Sequence, residues 1–308
     1  MSPVRAGLAA SGPVPAGQRG SAPDAIPTFY INRDSDEARR NAIAAHLAGA
    51  EIQAERIPGI EGLDVPAQFR GFFFEGEHVH SKLKPGEIGC YASHLVAMEQ
   101  ILERNLDYAL ILEDDAVVPP DILTTLANIL NTVPDGWDLI HFCKDSNRAV
   151  KFVAGLDDSR RLIRFSRVPE TTTGYLMSRS GAAKFLKPMK RYWPIDTDFR
   201  QPWRFRLEIY GVTPSIVHQG GFASSIHLIG NHSRLRRGIP IPSRHCWTGN
   251  PLHTPSGIAF NLRTLGPLTW AKCAFRNSAR RLVSMLGLRP LVHRRLAKSN
   301  GGLAESPR

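Results

Sequence analysis

Apolar residues along this chain gather in short runs, and the runs alternate with segments of helical spacing. Ile26 to Ile31 predicts a first strand, with Pro27 tolerable near its start. Polar residues follow. Asp34 or Ser35 is placed to cap a helix with Asp36 and Glu37 in its first turn, running to about Ala48 and stopped by Gly49. Glu51 to Ile57 predicts a second strand, ended by Pro58-Gly59. Such a strand–helix–strand opening suits a nucleotide-binding α/β half. Glu61 to Pro85 has no clear period and reads as a surface segment. Pro85-Gly86-Glu87 opens a helix, Glu87 to about Arg104, with Glu87, Cys90, Tyr91 and His94 on one side. Tyr108 to Leu112 predicts a strand buried on both faces, and it runs straight into Glu113-Asp114-Asp115. Further helices are predicted from Pro119 to about Leu130 and from Gly181 to Met189, with a weaker one after Pro194. Further strands are predicted at Trp137 to Phe142, Leu162 to Phe165, Thr173 to Met177 and Val212 to Val217.

This pattern divides the chain into three parts. Residues 1–24 are small and Pro-bearing and read as a disordered segment. Residues 25–230 form the α/β body. Residues 231–308 are an extension of Pro, Gly and Arg in which Leu268 to Leu288 predicts an amphipathic helix. Trp270, Ala274, Phe275, Leu282, Met285 and Leu286 share one side of its wheel; Lys272, Arg276 and Arg280 share the other.

Charge sharpens that division. The chain has 308 residues and a formal charge of +11. From residue 231 onward there are 14 Lys+Arg and one acid, Glu305, whereas the first 230 residues carry 25 basic and 27 acidic side chains. The basic character therefore belongs to the extension, which implies an anionic partner: membrane surface, phosphorylated glycolipid or nucleic acid. A near-neutral body without basic–aromatic interleaving argues against nucleic acid. Cys90, Cys143, Cys246 and Cys273 are scattered with no Cys-x-x-Cys pair, which argues against a zinc ribbon or disulfide framework and fits a reducing compartment. Neither a secretory leader nor a membrane span is expected.

Three acids at the mouth of a buried strand repel one another and lose hydration, and a cation relieves both costs. Ligands bind at the carboxyl ends of strands in open α/β sheets, so Glu113 to Asp115 is the candidate active centre, with oxygen donors suited to Mg or Mn. A solvated turn capping the next helix fits the triplet alone equally well. Asn32-Arg33 and Arg39-Arg40 follow the first strand, and Arg is the natural fork for a pyrophosphate, although a surface Arg pair is more often only solvated. Glu87, Cys90 and His94 share a helix face and could be metal ligands, but such a set is far more often a packed face, and here it reads as a pocket floor. Thr171-Thr172-Thr173-Gly174 brings hydroxyls to a strand end. Asp196 lies among Tyr192, Trp193, Phe199 and Trp203, a composition suited to a saccharide or to core packing. One of His218, His227 and His232 could complete a metal sphere.

Phe29-Tyr30-Ile31-Asn32-Arg33, Arg56-Ile57-Pro58-Gly59-Ile60-Glu61-Gly62, Lys84-Pro85-Gly86-Glu87-Ile88-Gly89-Cys90-Tyr91-Ala92-Ser93-His94, Ala109 to Ala116 and Thr173 to Ser178 occur in that order. Together they resemble glycosyltransferase family 25, the bacterial lipooligosaccharide galactosyltransferase-like family, over about residues 26–230. The resemblance implies the A-type glycosyltransferase fold, a Rossmann-like mixed α/β sheet flanked by helices, and makes residues 25–230 the catalytic domain. It also implies a nucleotide-sugar donor, typically UDP-galactose, a glycolipid or oligosaccharide acceptor, and inversion at the anomeric carbon. In that scheme Glu113 and Asp115 hold Mn or Mg, and Asp196 or Asp114 is the base. Asn32, Arg33 and Arg39 hold the nucleotide, and Glu87, His94, Thr173 and Gly174 line the substrate site. The family's first strand commonly continues into Asn-Leu, and here it reads Asn32-Arg33. The pattern does not cover the extension. The export and retention signals of collagen-modifying members are not seen. The expectation is therefore a bacterial envelope-polysaccharide enzyme on the cytoplasmic face of the inner membrane, held to anionic lipid by its tail. The alternative is a catalytically silent glycan- or lipid-binding homologue.

Overall fold

The computed structural model describes residues 26–146, 148–222 and 254–285. The disordered reading of residues 1–24 lies outside them. The chain opens with β1 (Thr28–Asn32), α1 (Glu37–Gly49) and β2 (Glu55–Pro58), a crossover unit whose strands pair in parallel. α2 (Ala67–Phe73), the short hairpin β3 (Phe74–Glu75) and β4 (His78–Val79), and α3 (Pro85–Glu103) lead to β5 (Tyr108–Glu113), parallel to β1. Next come β6 (Ala116–Val117), α4 (Ile122–Thr132), β7 (Leu139–His141), β8 (Val150–Gly155), β9 (Arg161–Phe165) and β10 (Gly174–Ser178). α5 (Arg179–Phe185), α6 (Ile195–Phe199), α7 (Pro202–Phe205), β11 (Ile209–Thr213) and β12 (His218–Gln219) follow, and α8 (Pro255–Leu265) and α9 (Pro267–Met285) end the described chain.

One eight-stranded sheet carries the fold, in the order β2-β1-β5-β10-β7-β11-β9-β8. β10 runs antiparallel to both β5 and β7, so the sheet is mixed. Side chains alternate across β5. Ala109 and Ile111 enter a core with Phe73, Tyr91, Leu95 and Phe185, whereas Leu110 and Leu112 enter a second core with Ile43, Leu126 and Ile140. All four β5 residues are fully buried, which is why this strand reads as an unbroken apolar run. Gly89 lets α3 approach the Ile60 loop: a Cβ there would lie 2.3 Å from the Ile60 carbonyl oxygen.

Several expectations change. The segment from Glu61 to Pro85 is not surface: Phe69, Phe72, Phe73, Phe74 and Val79 are buried in the α3-side core. β2 starts at Glu55 rather than Glu51, because the chain leaves α1 through a turn with Glu51 at φ 55°. Neither Asp34 nor Ser35 caps α1. Asp36 precedes it, and its carboxylate is taken by Arg33, with Arg33 Nε donating at 2.9 Å and Nη2 at 3.1 Å. The last sheet strand is Ile209–Thr213, three residues earlier than expected, and Pro214 follows it without a donor for the ladder. β8 and α8 were not expected. α8 begins with Thr254 Oγ1 accepting from Gly257 N at 3.0 Å and Pro255 at its first position.

α9 confirms a helix at Leu268 but divides its expected apolar side. Trp270 is half-buried beside Leu265 and Ala149, and Cys273 is buried there. Asn277 Oδ1 accepts from Ala149 N at 3.0 Å, and its Nδ2 donates to Ser166 Oγ at 3.2 Å. Leu268 and Phe275 point outward, 78% and 76% exposed, on the same side as exposed Lys272 and Arg276. The side chains of Arg280, Leu282, Met285 and Leu286 lie outside the described residues.

Candidate active site

β1 and β5 end side by side at one edge of the sheet, and antiparallel β10 begins there, with Gly174 opposite Leu112. Three acids continue from β5 and turn to three different partners. Glu113 faces α3. His94 is fully buried there, its Nδ1 2.9 Å from Tyr175 Oη and its Nε2 3.3 Å from Glu113 Oε1. Thr172 Oγ1 donates to the same carboxylate oxygen. Burial pushes the Glu113 carboxyl up, but His94, Thr172 and Arg39 outweigh it and hold it below the usual range.

Asp114 faces α1. Arg39 Nε donates to its Oδ1 at 2.6 Å, and Asn32 Nδ2 donates to its Oδ2 at 2.8 Å. Both oxygens are thus occupied. Asp115 is different. Gln219 Nε2 donates to its Oδ2 at 3.0 Å and Arg39 lies 3.3 Å from that oxygen, but its buried Oδ1 has no hydrogen-bond partner. Burial, and then the charge of Glu113, raise the Asp115 carboxyl. The short β6–β12 ribbon fixes this corner, with Gly220 N donating to the Asp115 carbonyl at 2.7 Å.

Asp196 opens α6. Its Oδ1 accepts from Thr197 N at 2.6 Å. Burial, then the charges of Glu170 and Glu113 against that hydrogen bond, raise its carboxyl to about 6. A carboxyl near 6 is largely ionised at neutral pH yet still able to take a proton, as a general base requires.

Of the expected residues, the fold brings together Asn32, Arg39, His94, Glu113, Asp114 and Asp115, and sets Asp196 within electrostatic reach of Glu113. Others turn elsewhere. Arg33 is bound to Asp36 and lies 3.7 Å from Glu61. Glu87 Oε2 accepts from Lys84 N at 2.6 Å and caps α3. Thr173 meets Glu113 through its carbonyl, 3.0 Å from Glu113 N, while its hydroxyl is 2.9 Å from that of Thr171. Gly174 is a packing position, where a Cβ would press on Leu112 and Val217 at 3.1 Å. His218 is exposed in β12, next to Gln219, so its side chain leaves the opposite face of that strand and does not join the cluster; His227 and His232 lie outside the described residues. Phe199 is core, and Tyr192 packs edge-on to His80. Thr172 belongs to the hydroxyl run singled out in the sequence, but its partner, Glu113, lies 59 residues away and was not foreseen; Gln219, 104 residues from Asp115, carries no local signal and was missed.

Among the described residues, one set of candidate metal ligands converges within 4.8 Å: Cys90, His94 and Glu113. His94 already uses both ring nitrogens, and burial with the neighbouring carboxylates pushes the Cys90 thiol up, so this trio serves better as the floor of the site. The unpartnered Asp115 Oδ1, on a carboxylate that feels the charge of Glu113, could seat a hard cation instead.

A mixed sheet with helices on both faces and an acid cluster at its strand ends defines the α/β glycosyltransferase fold. A family model described as glycosyltransferase family 25 (LPS biosynthesis protein) matches residues 25–199, and the chain belongs to that family. It is 29% identical over 182 residues to a glycosyltransferase 25 family member of Aedes aegypti, covering 54% of this chain and 29% of that protein. Similarity to procollagen galactosyltransferase 2 of Homo sapiens is 24% over 186 residues, with the same coverage of 54% and 29%. Procollagen galactosyltransferase 1-B of Xenopus laevis is 33% identical over 119 residues, 37% of this chain and 19% of that protein. The chain thus spans under a third of the length of these relatives.

Proposed function

We propose that this protein is an inverting galactosyltransferase that moves galactose from a UDP-sugar to a lipopolysaccharide- or lipooligosaccharide-type acceptor. The observation that carries the reading is the unpartnered, buried Asp115 Oδ1 at the sheet edge, with the elevated carboxyl of Asp196 within reach of the same cluster. The names of the procollagen relatives support galactose, and the family's description supports the acceptor class. Glu113 and Asp115 are the residues that would hold a divalent cation, Mn or Mg, and that ion would supply neutralisation of the leaving diphosphate. His94 and Thr172 fix the Glu113 carboxylate. Asn32 fixes Asp114, and Asp114 holds Arg39 of α1 over the strand ends, where its guanidinium meets the anionic donor. Asp196 takes the proton from the acceptor hydroxyl as that oxygen attacks. Asp114, with both oxygens engaged, positions Arg39 instead of acting as base. The test is a panel of nucleotide sugars with nucleotide release as readout, with and without Mn. UDP-galactose with Mn is expected to give the fastest release; no release from any donor would favour a silent binding homologue.

The cytoplasmic face of the bacterial inner membrane is the proposed location, with α9 as the contact. No helix among the described residues is long and apolar enough to cross a membrane. The outward face of α9 sets Leu268 and Phe275 beside Lys272 and Arg276, which suits insertion at an anionic lipid surface. Because α9 also buries Cys273 and Asn277 against the body, deleting it would disturb the fold. The cleaner variant is Lys272→Glu with Arg276→Glu. Each cation near such a surface contributes about 1 kcal/mol, so the double reversal is expected to lower affinity for phosphatidylglycerol vesicles by more than about tenfold. Flotation that is unchanged in the variant would refute the contact.

A further inference from the structure

A cleft opens where α7 and α8 meet the end of β9, and none of the acid cluster lines it. Arg164, Arg167, Arg200, Trp203, Phe260 and Asn261 are among its lining residues. Positive charge here exceeds negative. Arg164 and Arg263 share Glu208 at 2.7 and 2.8 Å, and the Arg164 guanidinium carbon sits 3.8 Å from the centre of the Tyr210 ring. Arg200 pairs with Glu170 through Nη1. Among the described residues, Arg167 and neighbouring Arg148 have no carboxylate at ion-pair distance, and burial followed by the charge of Arg148 depresses the Arg167 guanidinium. Arg200 is only 6% exposed, and its buried Nε has no partner. A buried N–H on a cation without an acceptor is costly, and an oxyanion in the cleft satisfies it.

The walls indicate what carries the oxyanion. The rings of Trp203 and Phe260 lie 6.3 Å apart at 53°, forming an apolar angle beside the arginines. Sugar rings have one apolar face that packs on an indole, while a free inorganic anion gains nothing from it. The cleft also connects with the active site along the chain. Ser166, Arg167 and Val168 line it, Glu170 pairs with Arg200 and acts on Asp196, and Thr172 binds Glu113.

We propose that this cleft is an acceptor subsite for an acidic sugar, its carboxylate or phosphate received by Arg167 and the Nε–H of Arg200 and its ring packed on Trp203. Calling the ligand an acceptor rests on the glycosyltransferase reading; the binding chemistry does not. Acceptors with an acidic residue near the reacting sugar would be selected over neutral ones, and the residues after 199, beyond the family match, would take part in that selection.

The test is calorimetry of the full chain with D-glucuronate, glucose 6-phosphate, glucose and inorganic phosphate, without donor. Glucuronate and glucose 6-phosphate are expected to bind about tenfold or more tightly than glucose, the difference made by a charge-assisted hydrogen bond, and about tenfold or more tightly than inorganic phosphate, the difference made by the ring packed on Trp203. Arg167→Gln should remove that preference. Trp203→Ala should weaken both acidic sugars and leave inorganic phosphate unchanged. Thermal midpoints near wild type exclude unfolding as the cause, and UDP binding by both variants should be unaltered. Equal binding of glucose and glucuronate overturns the proposal, as does phosphate binding as tightly as glucose 6-phosphate, or Arg167→Gln without effect. Nucleotide release that is intact while this selectivity is missing counts against the subsite alone; acidic-sugar binding with no release from any donor counts against the transferase reading alone.

Discussion

Asp115→Asn is expected to lower metal-stimulated turnover by about 10²–10³-fold, the range for losing one preorganised charge interaction at a developing anion. The substitution keeps the shape and removes only the charge. Gln219 can still donate to the remaining carbonyl oxygen, and the backbone bond from Gly220 to the Asp115 carbonyl is untouched. Stability should move the other way. Glu113 and Asp115 are like charges at the end of a buried strand, and the ionised Asp115 adds repulsion and desolvation that one Gln219 bond and part of Arg39 offset incompletely. Without metal, Asp115→Asn should therefore melt at or above the wild-type temperature. Mn should raise the midpoint of the wild type and have little effect on the variant. A variant that keeps both its Mn-dependent turnover and its Mn-dependent shift in midpoint would place the cation elsewhere, with the Cys90–His94–Glu113 trio as the next place to look.

What sequence reading reached and what it missed have a common physical origin. The strand Tyr108–Glu113 was legible because a strand covered on both faces must be apolar at every position, and the acids that follow have no such reason to be there. Arg39 and Asn32 were legible as candidates because they sit just past the neighbouring parallel strand. Gln219 was not, because its role arises from β12 pairing with β6, which leaves no local mark; Thr172 was legible as a hydroxyl at a strand end, but not as the donor to Glu113, which depends on β10 returning beside β5. α2 was missed although Phe69, Phe72 and Phe73 have helical spacing, since seven residues are too few for a period to emerge. The α9 wheel misled in an instructive way. Hydropathy placed Trp270 and Phe275 together, but the body has hydrogen-bonding groups at Ala149 and Ser166 that draw in Asn277, and this rotation turns Trp270 half-buried toward the body while exposing Phe275.

Asp196→Asn is expected to lower kcat/KM by about 10²–10⁴-fold, the usual contribution of a general base, and to remove a limb from the pH profile. The sign follows from the protonation state needed. A base works ionised, so wild-type kcat/KM should rise with pH through about 6 and level off above it. The same elevation bears on stability. An Asp whose folded pKa lies above its unfolded value binds its proton more tightly in the fold. That advantage is present at low pH and is lost as pH rises from the unfolded value of 3.8 through about 6, so at pH 7.5 ionised Asp196 disfavours folding. Asparagine removes this burden, and the variant should melt no lower than wild type at pH 7.5, which separates a catalytic defect from a folding one. Glu170→Gln provides a second check, because it removes the largest like charge acting on Asp196. It should move the limb to lower pH and leave the plateau near wild type, with Arg200 given up as an ion-pair partner. If the limb near pH 6 persists in Asp196→Asn, the base is another group. Asp114 would be the first alternative, reachable only if Arg39 and Asn32 release it when the donor binds.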